Sequence, residues 1–146
     1  MSVESAKKDI QIGDEMEDGT ILAGYYEGKP LYTTQADAPG GYNYRQAEKY
    51  AKNVKAHGLS ELRMPNKGEL NVLYENRNKG KLKGTFNQTG AEEAGYYWSS
   101  SRKDCMELRD AWAQKFSDGL QTSICRKSYD WFGLPHRHRL SVRLVR

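Results

Sequence analysis

Apolar residues recur along the chain with two different periods, and the switch between them outlines the fold. Thr20-Ile-Leu-Ala-Gly-Tyr-Tyr26 and Pro30-Leu-Tyr-Thr-Thr34 are short runs of β-formers. Glu27-Gly28-Lys29 between them is a turn signal, so the pair predicts a hairpin. Ala38-Pro39-Gly40-Gly41 then breaks the chain. Next the period lengthens: Ala47, Tyr50, Ala51 and Val54 fall at i, i+3, i+4 and i+7, one buried helix face. Asn43 is placed to cap that helix and Gly58 to end it. A second helix is expected after Pro65, where Asn66 and Glu69 stand as a capping box with Asn in place of Ser or Thr. Leu70, Leu73 and Tyr74 form its apolar stripe, and Lys79-Gly80 is its expected end.

Beyond Gly80 the chain reads as strands and loops. Gly95-Tyr-Tyr-Trp-Ser99 is a short β segment. Ala111 to Ser117 and Leu120 to Cys125 flank Asp118-Gly119, a pair suited to a tight turn with positive backbone angles. Leu140-Ser-Val-Arg-Leu-Val-Arg146 alternates apolar and polar residues, which predicts a half-buried closing strand. The fold class is therefore α+β, with two helices in the N-terminal half and short antiparallel strands with long loops in the C-terminal half. Residues 1–11 read as a polar arm and 12–146 as one domain.

Composition narrows the classes. A chain of 146 residues is one domain's worth and needs no metal or disulfide merely to fold. Mean hydropathy is −0.90, and no window approaches the ~20 apolar residues of a membrane span. The 3 Trp, 10 Tyr and 3 Phe argue against disorder. Met1 to Gln11 has no apolar core of a signal peptide, so synthesis in the cytoplasm without Sec export is expected. The net charge of +4 is concentrated at the C-terminal end, where residues 124–146 hold six Lys/Arg against Asp130 alone. A basic end on a near-neutral body suits phosphate, an anionic glycan or an acidic partner, or is simply a solvated rim. Nucleic acid would demand a denser basic and aromatic platform and is not expected.

Cys105 and Cys125 are too far apart in sequence for a redox or zinc motif. They are open to three states: free thiols, a bridge to each other, or a bridge to another chain.

Arg63-Met-Pro-Asn-Lys-Gly-Glu-Leu70, Tyr97-Trp-Ser-Ser-Ser101, Ala111-Trp112 with Phe116-Ser-Asp-Gly119, and Ser141-Val-Arg-Leu-Val-Arg146 occur in that order. This set resembles the Lcl C-terminal-like domain family, bacterial and phage modules with a C-type-lectin-like fold. The resemblance spans residues 12–146. It implies that the N- and C-terminal strands pair, that late loops form a variable binding face, and that the activity is recognition or adhesion and not catalysis. It casts Trp98, Trp112, Phe116 and Gly119 as structural, and the serines as partners of turn backbone. Leu144 stands where the family closes on Cys, so a disulfide anchored there is absent. The calcium-and-sugar triplets of true C-type lectins are missing, so no calcium-dependent site and no cofactor is expected.

Candidate chemistry gathers between Arg126 and Arg139. Tyr129, Asp130 and Trp131 offer aromatic faces beside an acid, and His136, Arg137 and His138 flank them, the composition of a contact hot spot. The competing reading folds Trp131 and Phe132 inward as a satellite core. His136-x-His138 would give two imidazoles on one strand face, but no third metal ligand stands nearby. Glu92-Glu93 is most simply an exposed loop, so a general acid–base pair is unsupported. The expected function is a non-enzymatic lectin-like recognition module of a phage virion, binding a glycan or protein on a host surface, in a homo-oligomer or larger assembly. The alternative is a structural decoration or joining protein held by other virion subunits.

Overall fold

A computed structural model of the chain describes residues 9–54, 61–88, 95–105, 108–125, 128–129, 135–136 and 139–146. The arm residues 1–8 and Gly58 lie outside them, as do Asp130, Trp131, Arg137 and His138. The described chain mixes two helices with small antiparallel sheets, the α+β class that the pattern predicts. No helix among the described residues is long and apolar enough to cross a membrane.

Strands β1 (Ile21–Tyr26) and β2 (Lys29–Thr33) form the expected hairpin. Glu27 and Gly28 both take positive φ, 51° and 79°, as a two-residue turn matched to strand twist requires. Helix α1 (Tyr44–Asn53) begins with a full capping box, in which Asn43 and Gln46 satisfy each other's backbone N–H. It ends before Gly58, because Val54 is already extended while its N–H still closes on the Tyr50 carbonyl. Helix α2 (Lys67–Glu75) starts on the predicted Asn66/Glu69 capping box. It stops short of Lys79, since the Asn76 side chain leaves the helix to donate to the Ala23 carbonyl at 2.8 Å. A short 3-10 turn, Gly80–Leu82, follows and sinks Leu82 into the core.

The largest sheet has the order β3 (Tyr96–Cys105), β4 (Leu108–Lys115), β5 (Gln121–Cys125), all antiparallel. β3 runs well past Ser99 because a bulge between Trp98 and Arg102 lets pairing with β4 resume. The β4–β5 turn is wider than a two-residue Asp-Gly turn. Phe116 leaves the strand and buries completely against Phe86, Tyr97 and Tyr74, so the chain needs Phe116–Gly119 to reverse, with Gly119 at φ 83°.

Side-chain alternation gives this sheet two covered faces. Trp98, Ala111 and Ala113 point into a cluster with Tyr44, Ala47, Leu140 and Val142. Tyr97 and Phe116 point the other way, into a cluster with Leu70, Leu73, Leu82 and Ile21.

Residues 140–146 close the chain differently from the half-buried strand expected. Leu140 to Val145 are all buried, because the segment threads between other elements. It bridges Tyr42, Tyr97, Thr33 and Arg63 in turn, and Arg146 exchanges backbone hydrogen bonds with Tyr32. Arg143, a polar position in the alternation, is therefore fully buried.

Candidate functional site

The four sequence blocks that carried the resemblance meet in space, and their contacts explain the residue types. Arg63 donates through both terminal nitrogens to Glu69, each at 2.6 Å. Glu69 also accepts the Asn66 N–H, so one carboxylate ties the entry segment to the start of α2. Burial pushes the Glu69 carboxyl up, but the Arg63 hydrogen bonds, the Asn66 N–H and the guanidinium charge together hold it below its usual value. The Ser100 N–H donates to the Pro65 carbonyl, the Lys67 N–H donates to the Ser101 hydroxyl, and the Ser99 hydroxyl accepts from the Ser101 N–H. The hydroxyl run thus serves backbone groups where the strand bulges.

Trp98 and Trp112 separate in role. Trp98 is 1% exposed, meets Tyr44 edge-on and donates its indole N–H to the Tyr42 carbonyl. Trp112 belongs to neither core cluster. It stands in register with Ser123 on the α2 side of the sheet, half-buried, with the Lys67 ammonium 3.6 Å from its ring centre. Beside it Gln121 donates to the Lys67 carbonyl, and the buried Gln114 amide donates to Asn71 and to the Gly119 carbonyl. Lys67, Asn71 and Gln121 were not singled out in the sequence. More than forty positions separate Asn71 from Gln114, and only the fold brings them together.

A second polar centre is internal. Arg143 donates to Asp37 at 2.9 Å and to the carbonyls of Thr34 and Thr85, and its guanidinium lies 3.9 Å from the Phe86 ring centre. Tyr97 donates its hydroxyl to the other Asp37 oxygen at 2.6 Å and accepts the Asn87 N–H. Burial raises the Asp37 carboxyl, opposed by the Arg143 charge and the Tyr97 hydroxyl, and burial beside Asp37 pushes the Tyr97 phenol far up. These groups satisfy one another and present no nucleophile–base pair. Arg146 is likewise engaged, 2.6 Å from Asp18 and stacked on Tyr32. Two of the six C-terminal cations, Arg143 and Arg146, are therefore engaged with carboxylates of the fold.

Part of the Arg126–Arg139 segment is described. β6 (Ser128–Tyr129) pairs antiparallel with β7 (Pro135–His136), Tyr129 opposite Pro135 and Ser128 opposite His136. The ladder brings the backbones of Tyr129 and His136 together. Asp130, Trp131, Arg137 and His138 lie outside the described residues. The cysteines stand on the two strands flanking β4, Cys105 opposite Leu108 and Cys125 opposite Asp110. Among the described residues no three His, Cys, Asp or Glu gather as a metal site.

Comparison with protein-family models, curated proteins and solved structures returned no match.

Proposed function

We propose that the chain is a non-enzymatic recognition domain with a C-type-lectin-like fold, displayed on a phage particle and binding a host-surface glycan or protein. The observation that carries this reading is the closure of the chain. The C-terminal segment bridges both Thr33 beside the first hairpin and Arg63 at the entry to α2, while Tyr97 of the large sheet bridges Ser141. The motif blocks are used up in that closure: Glu69, Ser99, Ser101 and Trp98 hold backbone or core. A scaffold that spends its motif residues on itself leaves its late loops to vary, and the proposed contact surface is the loop between β5 and Arg139, around Tyr129, Asp130, Trp131, His136, Arg137 and His138. Aromatic faces stack on sugar rings or on apolar side chains, and arginine supplies forked hydrogen bonds.

The test is binding of the purified chain to a glycan panel and to intact bacteria, each with and without EDTA. Saturable binding that EDTA leaves unchanged is expected. A folded protein that binds neither sugars nor cell surfaces contradicts the proposal.

A further inference from the structure

We propose that the seam between α2 and the β4–β5 hairpin is a second ligand surface, which binds an oligosaccharide with carboxylates on alternate sugars. Among the described residues, Arg63, Lys81, Arg102, Lys115, Arg143 and Arg146 each meet a carboxylate. Lys67 and Arg77, at the two ends of the seam, are seated on aromatic rings instead. The Lys67 ammonium stands 3.6 Å from the Trp112 ring centre, and the Arg77 guanidinium 3.9 Å from that of Tyr74. Arg77 also donates to Gln88 and to the Tyr74 carbonyl, which leaves its Nη2 unbonded among the described residues. The Lys67 ammonium likewise donates to no acceptor among the described residues. An aromatic face attracts a cation without neutralising it. Both charges therefore stay open to an anion, on side chains whose rotamers are already fixed.

The floor between them is a built polar network. The fully buried Gln114 amide donates to Asn71 and to the Gly119 carbonyl, and accepts from Gln121 at 3.4 Å. Gln121 uses its amide nitrogen on Gln114 and on the Lys67 carbonyl, so its oxygen is left to accept a hydroxyl. Exposed Glu75 accepts from Asn71 through one oxygen and keeps the other. Of the neighbouring acids, Glu69 is held by Arg63, and Asp118 by Lys115 and the Leu120 N–H.

Glu75 decides the class of ligand. About 10 Å of helix separates Lys67 from Tyr74, over which Arg77 lies, so a single sugar does not reach both cations. A chain charged at every unit, such as polyphosphate, would set an anion against Glu75. An oligosaccharide charged at every second sugar sets a neutral ring there. Its hydroxyls then donate to Glu75 and Gln121 while its carboxylates meet Lys67 and Arg77.

Titration calorimetry of the full chain with a hyaluronan hexasaccharide, which carries a carboxylate on every second sugar, tests this. Saturable binding is expected, with none to neutral chitohexaose and weaker binding to polyphosphate. Lys67→Gln and Arg77→Gln are each expected to weaken hyaluronan binding about tenfold with circular dichroism unchanged. Lys79→Gln removes an exposed cation beside Arg77 that no ring holds among the described residues, and should bind like the unmodified chain. Glu75→Gln, at an exposed position, is expected to narrow the preference for hyaluronan over polyphosphate. An unmodified chain that does not bind hyaluronan, or binds chitohexaose or polyphosphate as tightly, overturns the proposal. So does equal weakening by Lys79→Gln and Lys67→Gln, or a Glu75→Gln variant with the preference intact. The contact loop takes no part in these contacts, so their failure leaves cell binding through Trp131 to its own test.

Discussion

The fully buried Arg143 guanidinium lies 2.9 Å from Asp37, 106 residues earlier in the chain, and this contact locks the C-terminal segment to the loop after β2. Removing the acid strands a cation in the core. Asp37→Ala is expected to cost about 3 kcal/mol, read as a lower urea midpoint. The double variant Asp37→Ala/Arg143→Met should recover part of that loss, because no charge is then left buried. Equal loss in both would show that the carbonyl contacts of Arg143 to Thr34 and Thr85 dominate.

Glu69 makes the fold acid-sensitive in one direction. Its carboxyl is held below the ordinary 4.5 in the folded state, so the folded chain binds that proton less readily than the unfolded one. Its contribution is present above 4.5 and is lost as pH falls through the lower folded value. Stability measured between pH 6 and about 3 should therefore fall less steeply in Glu69→Gln than in the unmodified chain, from a lower starting point.

The two tryptophans of the motif should respond unequally. Trp98→Ala empties a closed core site and is expected to cost about 4 kcal/mol. Trp112→Ala removes a half-buried ring and the seat of the Lys67 ammonium, and should cost less than half as much. Equal losses in chemical denaturation would place Trp112 in the core after all.

Gly119 has two reasons to be glycine. Its φ is 83°, and a Cβ there would lie 2.6 Å from the Tyr74 ring. Gly119→Ala is expected to cost about 2 kcal/mol, with altered near-ultraviolet dichroism as Tyr74 shifts. Gly28→Ala, also at positive φ but in open space, carries the backbone strain alone and should cost less.

Local signals were legible in the sequence where neighbours decide structure. Asn43, Asn66 and Glu69 announce both helix starts, and Glu27-Gly28 announces the first hairpin, because caps and turns are satisfied within a few residues. Helix ends were not legible. Asn76 is claimed by the Ala23 carbonyl fifty-three positions away, a competitor that no local window contains. The closing segment misled for a related reason. Alternation predicts one wet face, but Arg143 meets a carboxylate and two carbonyls inside the protein, so a charged residue is buried. Trp112 is cast with Trp98 as structural, yet its half-buried place opposite Ser123 is set by strand register, which no local window contains. Of the candidate contact loop, composition singled out the segment, and the β6–β7 ladder now joins its two ends.

The most direct test of the recognition account compares the unmodified chain with Trp131→Ala for binding to intact host bacteria, with denaturation curves as the control for folding. The account predicts that Trp131→Ala keeps the same unfolding midpoint and loses at least tenfold in surface binding. Unchanged binding by a folded Trp131→Ala variant would contradict it.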